Sequence, residues 1–364
     1  MNTASSTRDR RMRKAKTQVE PPEDYGFFGP DSITWKVWGY PTSLTVGFQR
    51  AVVIEELDPF LIAAVDDTGK IYTQPRIRYD HTLRYFAIAA FADSRTATKA
   101  AEILVKVHGR AFGTEPISGN AYDANDPGQQ LWIHLTAWHS ILYAYEMYGP
   151  GKLTPEEEGR YWDECAIAAE LQTCDPADIP RTREGIREYF ARERPRLAAS
   201  EAAQAMMHQL LDAKVMFPPV PWFLRPGAWV VSRTLRAATI ATMPAWQRAL
   251  GGLHQPRIVD RLLRPLMTLV FWMVAQSNTA QLLLLRWISP STYPVVEPVL
   301  RPVLPRRLVT TTPAEAFRRH GVDTPVDAYR KLLDRRTASA ERSWSRHTDE
   351  QWSNLPAAAS SGTA

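Results

Sequence analysis

The chain has 364 residues, 45% of them hydrophobic and 23% charged, with a formal net charge of +5. That length and apolar content support one large domain or two, with a core that needs no disulfide framework. Cys165 and Cys174 are the only cysteines, which excludes a zinc-type cysteine cluster and makes a reduced, cytoplasmic setting the expectation.

The positive excess is concentrated at one end. Between Met1 and Glu20, Arg8, Arg10, Arg11, Arg13, Lys14 and Lys16 face only Asp9 and Glu20, and the rest of the chain is close to neutral. An extended basic face for nucleic acid is therefore not expected. The arm reads as a solvated tail, with weak peripheral attraction to anionic lipid as its functional alternative. VEPPED (Val19 to Asp24) interrupts any apolar run after it, so no secretory signal is expected. The most apolar later stretch, Leu266 to Ala275, is half of the roughly 20 residues that a membrane span needs, and reads as a core or interfacial helix.

In chain order, 1–24 is expected to be a tail, 25–335 a single folded domain, and 336–364 a second tail rich in Ser, Ala and charge. Apolar residues at 3.6-residue spacing dominate the folded part, and strand-like alternation is scarce, so the class is mainly α. Helices are expected at about 44–65, 78–92, 94–111, 126–148, 155–172, 182–194, 198–213, 228–242, 244–250, 256–288 with a break near Ser277, and 313–334. Asp93-Ser94 opens the third helix and Thr154-Pro155-Glu156-Glu157 the fifth, with proline at the first helical position. Gly113 to Pro127 reads as a polar loop, and Phe217 to Pro226 (FPPVPWFLRP) as an aromatic, proline-rich connector.

Three helices bring polar groups onto apolar faces. From Arg78, helical spacing aligns Thr82, Tyr85, Phe86 and Ala89, so a guanidinium points into an apolar stripe and must meet an anion or a core carboxylate. In the next helix His108 aligns with Ala101, Leu104, Val105 and Phe112. His134 aligns with Leu131, Leu135, Trp138, Ile141 and Leu142 in the one after. A lone inward histidine is more often a hydrogen-bonded core residue than a ligand; two beside an inward Arg/Thr pair make haem ligation an even alternative. Neither cysteine lies in a glycine-rich haem loop, and C-x-x-C-H is absent. So are H-E-x-x-H, the phosphate-binding G-x-x-x-x-G-K-[ST], G-x-G-x-x-G after a strand, and G-x-S-x-G. A di-iron site would draw on Glu55 and Glu56, but no Glu-x-x-His occurs.

FGPDSITW (Phe28 to Trp35), RIRYDHTLRYF (Arg76 to Phe86), VKVHGRAFG (Val105 to Gly113), AYDANDPGQQLWIHLTAW (Ala121 to Trp138) and DIPRTREGIREYF (Asp178 to Phe190) occur in this order. Together they resemble the catalytic domain shared by the MpaB oxygenases and the latex-clearing rubber oxygenases, over about 27–250. The resemblance implies a helical haem b protein that uses O2. It places the family's R-x-x-x-T on Arg78 and Thr82, its proximal haem ligand and iron contact on His108, and a distal lysine position on His81. His134, in the W-[VI]-H-x-T element, is the second candidate for the axial ligand. Leu57-Asp58-Pro59 stands where relatives have His-Pro, so no role of that histidine transfers.

The resulting expectation is a haem b oxygenase that oxidises an apolar, possibly unsaturated, small molecule with O2. His108 would hold the iron, Arg78 would pair with a propionate or orient the pocket, and Thr82 and His81 would line the distal side. The alternatives are a haem peroxidase or monooxygenase, and a non-catalytic, membrane-associated haem binder.

Overall fold

Prolines and glycines decide where the helices begin and end, and those breaks position the site. The computed structural model describes residues 19–68, 75–212, 217–218 and 220–338. The basic arm Arg8 to Lys16 and the tail from 339 onward lie outside them. The fold is mainly α, as the apolar spacing predicts. Ile33–Trp38 (α1) leads into a π-helical turn, Ser43–Gly47, which continues as Phe48–Glu55 (α2). The continuous helix predicted over 44–65 is instead broken at Glu56–Asp58, and Pro59–Thr68 (α3) restarts it. Pro59 has no N–H to continue the α2 ladder but fits the first position of a new helix. Asp58 caps that start, accepting the Phe60 N–H at 2.9 Å.

Pro75–Phe91 (α4) and Ser94–His108 (α5) follow, the second capped by Asp93, whose carboxylate accepts from Thr96 N. Where a polar loop is predicted, Phe112–Thr114 (β1) and Ala121–Asp123 (β2) pair antiparallel, with Gly113 opposite Tyr122. The Glu115 carboxylate accepts the N–H groups of Ile117 and Ser118, so the turn satisfies its own backbone, which composition alone did not indicate.

Pro127–Tyr148 (α6) is the central helix, burying Trp132, Leu135, Trp138, Ile141 and Tyr145. It packs against α2 and the π turn. A Cβ on Gly47 would lie 3.1 Å from the Ile141 backbone, so glycine permits the close approach. Pro155–Ala169 (α7) starts on the predicted capping box, Thr154 with Glu157, worth about 1 kcal/mol. Its Tyr161 closes an aromatic chain, Trp38–Trp138–Tyr161, with ring centroids 5.1 and 5.0 Å apart.

Arg183–Glu193 (α8) and Glu201–Leu210 (α9) precede an exposed 3-10 turn, Trp222–Leu224, and Arg225–Ala241 (α10). Ala245–Leu250 (α11), Arg257–Ala275 (α12) and Asn278–Ile288 (α13) come next; Ser277 caps α13 and makes the predicted break. Tyr293–Leu300 (α14) was not predicted. The predicted helix 313–334 divides into Pro313–His320 (α15) and a helix over 325–338 (α16), because Gly321 adopts φ 62° and ends the first. The segment from Pro22 to Gly26 is docked: Pro22, Glu23 and Gly26 carbonyls accept from Arg306, Arg307 and Thr311, and Tyr25 N–H donates to Val309.

Candidate active site

Glu55 and Glu56 end α2 in a stretch, AVVIEELDP, that is otherwise apolar, and both are buried, at 6% and 4% exposure. Glu55 Oε1 and Glu56 Oε2 have no hydrogen-bond partner, and neither do Arg76 Nε and Tyr79 OH in the first turns of α4. Buried polar groups are normally paired, so four such atoms at the end of α2 and the start of α4 stand out. The charge of Arg78 acts on both carboxylates. The inward arginine therefore has core carboxylates within reach of its charge.

Burial dominates their titration. It lifts the Glu55 carboxyl to about 8, with the neighbouring Glu56 charge adding to the rise and Arg78 opposing it. Burial lifts Glu56 to about 7, again against Arg78. Burial thus favours the protonated form of both carboxyls, against the charge of Arg78. Sequence reading passed over this pair except as absent di-iron ligands. The signal was two adjacent acids inside an apolar helix, which cannot both face solvent.

His108 closes α5 on the same side. Burial first, and Arg78 second, lower its pKa to about 4, so the ring is neutral. Gln130 Nε2 lies 3.1 Å from its Nδ1 and donates to Ala124 O at 2.5 Å; the same carbonyl also hydrogen-bonds the ring. Its side-chain contact runs through Nδ1 alone, leaving Nε2 with no side-chain partner among the described residues. Axial ligation through Nε2 requires the neutral tautomer whose Nδ1 proton is donated to an acceptor, and the Ala124 carbonyl is the acceptor at this ring.

His134 is placed differently. Its Nε2–H donates to Cys165 O at 2.8 Å and its Nδ1 accepts from Gln172 Nε2 at 3.1 Å. Both nitrogens are engaged and the ring lies 5.8 Å from Trp138, the arrangement of a core histidine. Thr82 is half-buried and its hydroxyl donates back to Arg78 O at 3.0 Å, a bond within the helix. His81 is exposed, so α4 does not bring it to the buried cluster.

Asp58 is 1% exposed at its side chain and pairs with Arg196 at 2.6 Å. A further inward histidine went unremarked in the sequence: His139, whose pKa burial and the Arg50 charge push well below the ordinary value. It lines a cavity of about 120 Å³ with Tyr143, Glu146 and Arg183.

No group of three His, Cys, Asp or Glu side chains among the described residues could hold a metal ion. A centre ligated by protein alone lacks its donor set there, whereas a macrocycle needs one axial side chain and charged neighbours. His108 supplies an imidazole there and Arg78 a positive charge that acts on it.

The mainly helical domain thus brings together a buried acid pair, an arginine whose charge acts on it and a neutral imidazole. Residues 35–274 match the family described as the catalytic domain of the ER-bound oxygenase mpaB/B′ and of rubber oxygenase, and the chain belongs to that family. Membership places it among oxygenases. The matched region runs through α12, past Pro256, beyond which the sequence motifs carried little resemblance. No curated protein and no solved structure matches the chain.

Proposed function

We propose that this protein is a haem b-dependent oxygenase that uses O2 to oxidise an apolar organic substrate, with His108 as the axial ligand of the iron. The observation that supports it most is the group made by the buried Glu55 and Glu56 with the half-buried Arg78 and His108, inside a domain of an oxygenase family. Haem, when bound, supplies the activation of O2. The chain's own contributions are distinct from that. Gln130 and the Ala124 carbonyl orient the His108 ring, and its low pKa keeps it neutral; the tautomer with its proton on Nδ1 leaves Nε2 as the free base that ligation needs. Arg78 offers a positive charge to a propionate or to developing negative charge. Glu55 and Glu56 keep protons at Oε1 and Oε2 near neutral pH and can pass them inward or take them back. The apolar surroundings exclude water and suit a substrate without charge.

The experiment is direct. Protein expressed with ample haem precursor should carry one noncovalent haem, all of it removed by acid ketone, with a Soret band that His108→Ala abolishes. Stoichiometric zinc, or no metal under those conditions, would defeat the reading. Labelling with 18O2 then separates a dioxygenase, which places both atoms in product, from a monooxygenase or a peroxide-driven enzyme.

A further inference from the structure

Helix α12 is apolar on two faces. Leu263, Met267 and Phe271 are buried, in a cluster that includes Val46, Tyr148 and Ala238. Ile258, Leu262, Leu266, Leu269, Trp272 and Met273 point the other way and are 49–65% exposed. At 3.6 residues per turn these six cover about a third of the helix circumference, roughly opposite the buried arc, in a stripe about 22 Å long. A helix on an ordinary solvated surface carries polar residues there. An apolar ridge of this length marks an interaction face.

Charge says what covers it. Arg257, Arg261 and Arg264, all exposed, lie along one border of the stripe. From 220 to 296 the chain has eight arginines and one acid, Asp260, and that acid is paired with Arg248 at 2.8 Å. Beside α12, the turn before α10 leaves Trp222 and Phe223 exposed, at 77% and 62%, and α10 itself leaves Trp229 at 61%. An open groove of about 720 Å³ follows α12, lined by Tyr40, Arg264, Pro265, Leu269 and Trp272. No described helix is long and apolar enough to cross a membrane, and α12 has its other face buried in protein.

We propose that α12 lies in the plane of an anionic lipid surface, with its apolar stripe set between the headgroups and Arg257, Arg261 and Arg264 on their phosphates. Apolar residues with tryptophan on one face and arginine at its edge are the composition of an interfacial helix. A second copy meeting this face through the same face would bring eight more arginines against one acid, the already paired Asp260, whereas anionic lipid supplies the opposite charge. The reading of the buried site is not needed for this one. Where both hold, an apolar substrate can pass from lipid to enzyme without crossing water.

The test is sedimentation of the full-length chain with phosphatidylcholine vesicles, with and without phosphatidylserine. Leu262→Glu combined with Trp272→Glu changes two exposed side chains, and circular dichroism checks the fold. Binding to both vesicle types should fall by more than about tenfold. Replacing Arg257, Arg261 and Arg264 by Gln should remove only the preference for phosphatidylserine, by about fivefold per arginine. Undiminished binding by the folded stripe variant overturns the proposal. So does binding that disappears with residues 1–18 deleted and the stripe intact. A wild-type dimer that ignores vesicles and that Leu262→Glu dissociates assigns the face to a second copy instead.

Discussion

Replacing His134 by alanine should cost stability without costing haem. The ring is 1% exposed and satisfies two buried partners, Cys165 O at 2.8 Å and Gln172 Nε2 at 3.1 Å. Truncation strands both, at about 1–3 kcal/mol each, and Gln172 is already short of a partner at Oε1. Loss of packing against Trp138 adds to this, so a total of about 3–5 kcal/mol is expected. His108 is only partly buried with one side-chain contact, so His108→Ala should cost about 1–2 kcal/mol while removing the axial bond. The assay is paired: urea denaturation for stability, and Soret absorbance after haem titration for binding. His134→Ala should be the less stable protein that keeps its spectrum, and His108→Ala the more stable one that loses it. The reverse pattern, with His134→Ala nearly as stable as wild type and free of haem, refutes the placement of His134 as a core histidine and His108 as ligand.

Stability should also depend on pH in a defined direction. Glu55 and Glu56 titrate near 8 and 7 when folded against 4.5 ordinarily, so the folded protein holds protons the unfolded chain has lost, and their contribution falls as pH rises from about 4.5 to 8. His108 and His134, lowered from 6.5 to about 4, act oppositely, adding stability as pH rises from about 4 to 6.5. Above pH 6.5 only the fall remains: the melting temperature should drop between pH 6.5 and 8.5, and Glu55→Gln should flatten the slope; an unchanged slope in that variant counts against the buried acid. Asp58→His should destabilise the fold by about 2–4 kcal/mol, because Arg196 loses the carboxylate 2.6 Å away, and adding Arg196→Gln should recover part of that loss in a double-mutant cycle. Equal effects with and without Arg196 would remove the pair as the cause. Gly26→Ala should cost more than about 2 kcal/mol in the same denaturation assay, since φ is 67° and the added Cβ would stand 2.1 Å from Ala92 O; a neutral result would place the Pro22 to Gly26 segment elsewhere.

Local chemistry made much of the architecture legible. The 3.6-residue spacing of apolar positions specified the mainly α class, and Asp93, Thr154 with Glu157, and Ser277 announced helix starts that the structure bears out, since a cap acts on N–H groups two or three residues away. The same spacing put Arg78, His108 and His134 on packed faces. It could not say what each would meet there, because partners come from elsewhere in the chain: the charges of Glu55 and Glu56 act on Arg78 from α2 and its end, and Gln172 reaches His134 across 38 residues. Tertiary contact alone therefore decided that one imidazole has both nitrogens engaged while the other has a side-chain contact at Nδ1 only. It decided too that the two acids are buried and that burial raises their pKa, a property of the surroundings and not of the glutamates. The two apolar arcs of α12 are both present in its periodicity, yet only the packing of α10 and α6 against one of them shows which arc the fold covers and which it leaves to a partner.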